Sequence, residues 1–168
     1  MDSLRDVFIT AAGAHLPGEA VPNERMEDHI GRIGGRDSLF GRKALRWNGV
    51  KTRHYAIGGN GDVRDSNAGM CAKAVSAALD KAGVERDDLT FLAAATTQGD
   101  LLVPGHAAAV HGELGGPPLE IASFQSVCGS SLMAAKSAWL QVHHSPTCRS
   151  GPTSGQNWIA ATVRRRPR

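Results

Sequence analysis

The sequence predicts an α/β fold whose sheet is mainly parallel and covered by helices. Three observations carry this. From residue 66 to residue 142, helix-like and strand-like segments alternate with short connections, the order that returns a chain repeatedly to one sheet. The strand-like run FLAAA is continuously apolar rather than alternating, as in a strand covered on both faces. The chain is 41% hydrophobic but only 5% aromatic, with 20 glycines; such a composition suits elements packed closely with little bulk between them. At 168 residues the length allows one ordinary domain.

In chain order, DVFITAAGA (6–14) ends in glycine and predicts a buried strand. PNERMEDHIG (22–31) and RDSLFGRKALRW (36–47) predict two short helices, GVKTRHYAI (49–57) a strand, and GGNGD (58–62) a turn. SNAGMCAKAVSAALDKAG (66–83) has the clearest helical grammar: Asp65 or Ser66 to cap it, alanines and leucine to fill it, and Gly83 to close it. Met70, Ala74, Ala77 and Ala78 fall on one face, and their small size implies a close neighbour. DDLTFLAAATT (87–97) predicts a strand buried on both faces. PGHAAAVHGELG (104–115) has proline near its start and glycine at its end, as helices do. LEIASFQ (119–125) predicts another buried strand and CGSSLMAAKSAWLQV (128–142) a helix. After Val142 no period persists. Residues 143–168 are rich in Ser, Thr, Pro, Gly and Arg and predict a disordered tail.

The net charge of +3 is concentrated in Arg164, Arg165, Arg166 and Arg168, and the remainder is near neutral. A chain of this kind has no general basic field for nucleic acid. Acidic residues lie where a signal peptide needs bases, and no apolar stretch approaches a membrane span. The expectation is a cytoplasmic, soluble protein. Cys71, Cys128 and Cys148 are widely spaced and odd in number, which speaks against a disulfide framework and fits a reducing compartment. His106 and His111 are five apart on one predicted helix and do not form a metal-binding i, i+4 pair. His143, His144 and Cys148 lack a fourth ligand, so no metal site is expected. GGNGD does not stand between a strand and a helix, as a phosphate loop must.

Cys128 follows a strand and opens a helix. At such a turn the first helical N–H groups point toward the sulfur, and the helix dipole favours a thiolate. The turn also raises the side chain over the sheet edge where parallel folds place ligands. Gly129 permits close backbone approach, and the Cys128 N–H can help to hold an oxyanion. The alternative is a buried cysteine acting as a small hydrophobe; Cys71, in an alanine-rich helix face, fits that description. Arg46 and Trp47 could pair with or stack on an anionic ligand, or serve as half-buried structural residues.

Four segments, ITAAGAHLPGEAVPNERM, NGVKTRHYA, AVSAALDKAGVERDDLTFLAAATTQGDLLVPGHAAAVHGELG and SFQSVCGSSLMAA, resemble in order and spacing the N-terminal part of β-ketoacyl-acyl-carrier-protein synthase III, a condensing enzyme of the thiolase superfamily. The resemblance covers residues 7 to about 142. It implies a thiolase-like layered α/β fold, represented here by an incomplete N-terminal half (1–142) with a parallel or mixed sheet, followed by an unrelated tail (143–168). It also implies that Cys128 accepts an acyl group from acyl-CoA or an acyl-carrier-protein thioester. Condensation with malonyl-acyl carrier protein would follow, in fatty-acid or related polyketide biosynthesis. The family works as a homodimer and needs no cofactor. Leu101, Leu102 and Val103 then become candidate acyl-chain contacts, and Arg46 and Trp47 candidate substrate contacts.

Two departures accompany the resemblance. The family commonly reads R-T-G-I where this chain reads RWNGV, placing Trp47 where a coenzyme A-holding arginine would stand. Val127 occupies a position where small residues are frequent. The family's catalytic His and Asn come from its second half, and His143 and His144 match neither, so the chain as it stands is expected to be inactive in condensation. A related acyltransferase to oxygen or nitrogen, or a non-catalytic remnant or interaction module, are the alternatives. A shifted reading frame explains both the change after Val142 and the Arg-rich end. The coding DNA, read in its other frames beyond codon 142, is expected to contain the family's continuation; two frames without it would refute the shift.

Overall fold

The structure, a computed structural model, describes residues 7–36, 38–58, 60–144, 150–154 and 159–164. Its strands and helices in chain order are β1 (Phe8–Gly13), β2 (Val21–Pro22), α1 (Met26–Ile30), α2 (Leu39–Asn48), β3 (Thr52–Arg53), α3 (Asn67–Ala82), β4 (Phe91–Thr96), α4 (His106–Leu114), β5 (Glu120–Gln125), α5 (Gly129–His144), β6 (Ser150–Ser154) and β7 (Ile159–Arg164). They form two compact units, Met1–His15 with Asn67–Arg168, and Leu16–Ser66.

The larger unit is a five-stranded mixed sheet in the order β1-β7-β6-β4-β5. β4 runs parallel to both β5 and β6, while β7 is antiparallel to β6 and β1. Every residue of β4 is buried. Its side chains alternate between two cores, as a strand's must. Leu92 and Ala94 join Cys71, Ala74, Val75, Ala78 and Leu79 of α3 and Val110 of α4; Phe91, Ala93 and Ala95 meet Ala134 and Ala138 of α5. Helices therefore cover both faces, as the apolar run predicts.

α3 approaches the sheet at backbone distance. A Cβ placed on Gly13 of β1 would lie 2.5 Å from the Ala74 oxygen and 2.8 Å from the Ala77 carbonyl carbon, and would also strike the Ala78 nitrogen. The Lys81 ammonium donates to the Ala12 oxygen at 3.2 Å, closing the same seam. Gly83, at φ 59°, ends the helix, and the Val84 N–H returns to the Leu79 oxygen at 3.1 Å.

Two predicted strands differ in burial. β1 is largely exposed apart from Gly13 and Ala11, and β5 is exposed or half-buried throughout. Both lie at the ends of the strand order, where one neighbour is missing and an apolar run no longer means cover on both sides. Within residues 143–168, for which the sequence predicts a disordered tail, the described residues 150–154 and 159–164 form β6 and β7, inside the sheet. Backbone pairing supplies this order. A segment of small and polar residues carries no side-chain period that would announce it.

In the Leu16–Ser66 unit, β2 and β3 pair antiparallel. Asn23 fastens them: its Oδ1 accepts from Arg53 Nη1 at 2.6 Å, and its Nδ2 donates to the Val50 oxygen at 2.7 Å. The predicted strand 49–57 is shortened to β3, with a single bridge between Ile57 and Val63. The predicted helix 22–31 is a 3-10 turn, Asn23–Arg25, continued by α1. The Ser38 hydroxyl accepts from the Gly41 N–H at 2.9 Å and caps α2.

The seam between Gly13 and α3 yields a prediction. Gly13→Ala forces backbone apart, which a side-chain rotation cannot relieve, and is expected to cost at least about 1–3 kcal/mol. Urea unfolding of the two chains measures it; an unchanged midpoint would refute so close an approach.

Candidate functional site: the turn after β5

Cys128 occupies the turn between β5 and α5 and is exposed to solvent, whereas Cys71 is 2% exposed. Of the two readings open to Cys128 in the sequence, its exposure excludes the small core residue. Cys148 lies outside the described residues. The turn is braced beneath the cysteine. Ser130 is buried, and its hydroxyl is directed at the carbonyl oxygens of Ser126 (3.0 Å) and Val127 (2.9 Å), while its N–H donates to the Val127 oxygen at 3.3 Å. The Ser126 N–H donates to the Thr96 oxygen at 3.2 Å, fixing the turn to the end of β4. At the far end of α5, the Gln141 amide donates to Glu120 at the start of β5. A Cβ on Gly129 would meet nothing within 4 Å, so the backbone beside Cys128 is uncrowded on that side. α5 spans 16 residues, and Cys128 stands immediately before its first residue.

The parallel register sets Thr96 opposite Gln125, so the loop after β4 leaves the sheet at the same edge as the Cys128 turn. That loop carries Leu101, Leu102 and Val103, all strongly exposed. It is tied down at both ends. Asp100 accepts from the N–H groups of Asn67 (2.9 Å) and Ala68 (2.8 Å), capping α3. Asn67 Nδ2 donates to Thr96 Oγ1 at 2.9 Å and to the Gln98 oxygen at 2.5 Å. At the other end, the Ser123 hydroxyl of β5 accepts from the Ala107 N–H at 2.9 Å, and a Cβ on Gly105 would come within 2.8 Å of that oxygen. The sequence points to the loop but not to Asp100, Asn67, Ser123 or Ser130. Three of these four act on groups far along the chain; Ser130 alone stands beside the cysteine in a position that could have signalled its role.

His106, in the first turn of α4, is buried with both ring nitrogens lacking a hydrogen-bond partner. Burial lowers its pKa below the ordinary 6.5, and the nearby Asp100 carboxylate partly opposes the shift. His111 Nε2 instead lies 3.1 Å from the Pro117 oxygen. His143 and His144 end α5, and their side chains are outside the described residues. Among the described residues no cluster of His, Cys, Asp and Glu could hold a metal ion, and no helix is long and apolar enough to cross a membrane. Arg46 and Trp47 stand on α2, in the Leu16–Ser66 unit, and both are exposed. Neither is a half-buried structural residue.

Against known proteins, the chain is similar to curated β-ketoacyl-acyl-carrier-protein synthases III. That of Roseobacter denitrificans is 31% identical over 130 residues, 77% of this chain and 36% of the relative. That of Hyphomonas neptunium is 27% identical over 134 residues, 80% of this chain and 38% of the relative. The chain thus spans a little over a third of the curated relatives that it matches. Among solved structures, the tetronic acid condensing enzyme AbyA1 superposes with a TM-score of 0.77 at 25% identity, covering 97% of this chain and 53% of that one. The 3-oxoacyl-(acyl carrier protein) synthase III of Pseudomonas aeruginosa does so with 0.70 at 19% identity, covering 98% and 53%. No protein-family model matches. The fold is that of the thiolase-like condensing enzymes, and the resemblance seen in the four sequence segments is borne out.

The buried His106 makes stability depend on pH. The unfolded chain takes up a proton near pH 6.5, while the folded chain resists until lower pH. His106 therefore subtracts stability as pH falls below about 6.5, levelling off beneath its folded value. Urea midpoints from pH 7.5 to pH 5 are expected to fall more steeply for the native chain than for His106→Leu; parallel curves would refute this.

Proposed function

From the resemblance to β-ketoacyl-acyl-carrier-protein synthase III, we propose that this chain carries the acyl-accepting part of a condensing enzyme. The observation that carries the reading is the exposed Cys128 at the head of α5, on a turn braced by Ser130. The thiolate attacks the carbonyl carbon of an acyl thioester, and the Cys128 N–H holds the oxyanion. The bond to the donor sulfur then breaks, the donor thiol leaves with a proton, and the acyl group stays on Cys128. Leu101, Leu102 and Val103, exposed at the same sheet edge, receive the acyl chain. The donor is acyl-CoA or an acyl-carrier-protein thioester. Malonyl-acyl carrier protein is the second substrate, and the working enzyme is a homodimer. In the complete reaction the malonyl unit loses carbon dioxide, and its carbanion displaces the cysteine sulfur to form a carbon–carbon bond. That step uses the His and Asn of the family's second half.

A second reading, a non-catalytic interaction module, is favoured by the apolar side chains that α5 and its turn leave in solvent: Val127, Leu132 and Met133. One experiment separates the two. The chain is incubated with a radiolabelled short acyl-CoA, and the label is mapped by peptide. Label on Cys128, absent from Cys71 and lost in Cys128→Ala, is expected. No label, or label that survives Cys128→Ala, would leave only the interaction module.

A further inference from the structure

The Leu16–Ser66 unit contains a pocket of about 330 Å³ that the acyl-transfer reading does not use. Its walls come from four short elements. Arg25 ends the 3-10 turn after β2, His29 sits on α1, Tyr55 follows β3, and Arg64 follows the bridge between Ile57 and Val63. The His29 and Tyr55 rings stack, with centroids 5.4 Å apart and planes 7° from parallel. Val21 and Ile57 add apolar surface.

Arg64 is held in place by its backbone: its N–H donates to the Ala56 oxygen at 2.7 Å. Its guanidinium crosses two glycines. A Cβ on Gly18 would lie 3.5 Å from Nη1 and one on Gly58 3.3 Å from Nη2, so larger residues there would crowd it. Among the described residues neither Arg25 nor Arg64 has a carboxylate partner. Glu19 is the one carboxylate in the lining, and the cations exceed it. His29 Nδ1 is buried and has no hydrogen-bond partner, an unmet polar group that a ligand would satisfy.

Two unpaired guanidinium groups, an aromatic pair and an apolar floor in a space of ligand size describe a recognition site rather than a packing defect. We infer that this pocket binds a small aromatic anion, its ring against the His29–Tyr55 stack and its phosphate or carboxylate between Arg25 and Arg64. Guanidinium groups suit this task because their forked N–H donors match both anions.

The probe is phenyl phosphate, titrated calorimetrically into the full chain, with inorganic phosphate and phenol as its separate halves. Saturable binding is expected, at least about tenfold tighter than for either half alone. Arg25→Gln and Arg64→Gln are each expected to weaken it about tenfold with an unchanged circular dichroism spectrum. Cys128→Ala is expected to leave it intact, which separates this site from acyl transfer. Absence of saturable binding, inorganic phosphate binding as tightly as phenyl phosphate, or full affinity in the double arginine variant would each overturn the inference.

Discussion

The structure depends on one strand packed on both sides. β4 has neighbours along both edges and helices on both faces, and all six of its residues are buried. Three of them are alanines, and they meet alanines of α3 and α5. Small side chains on both partners let the helices lie close to the sheet. At native packing density there is then no slack to absorb a bulkier residue. The same closeness fixes where the chain emerges at the end of β4. Both the Asp100 loop and the Cys128 turn are anchored to that edge, through Thr96 in each case. The site is therefore an outcome of core packing rather than an addition to it.

The parts that sequence reveals are those encoded locally. The alanine-rich helix from Asn67 to Ala82, the run FLAAAT and the turn before Gly129 are each specified by residues adjacent in the chain, and each forms where its pattern predicts. LEIASFQ lies at an edge, and its Glu120, Ser123 and Gln125 are exposed there; the apolar residues between them record how hydrophobic a segment is and not how many neighbours it has. β6 escapes notice for the opposite reason: SGPTS has no strand-like side chains, and its order comes from main-chain pairing. Asp65 and Ser66 are natural caps by position; that a carboxylate on another loop also holds the Asn67 and Ala68 amides of α3 is not visible in the sequence.

The chemistry divides in the same way. That Cys128 heads a helix is readable from the strand-glycine-helix grammar around it. That its sulfur is exposed while Cys71 is sealed is a three-dimensional fact, as is the bracing by Ser130. The pocket beside Tyr55 is assembled from residues 18 to 64 across four short elements, none with a motif of its own. GGNGD reads as a plain turn, and among the described residues the Gly61 N–H donates to the Gly58 oxygen; Arg64, just beyond, reaches the pocket wall.

The loop after β4 is fastened at Asp100 by the amides of α3 and at Gly105 by the Ser123 hydroxyl. Between these clamps only Leu101, Leu102, Val103 and Pro104 are free of such ties. The clamps carry the architecture, and the residues between them carry almost none. This is a cassette with fixed ends. Its apolar tip bears none of the hydrogen bonds that hold helix and sheet together, so the scaffold does not depend on which side chains stand there.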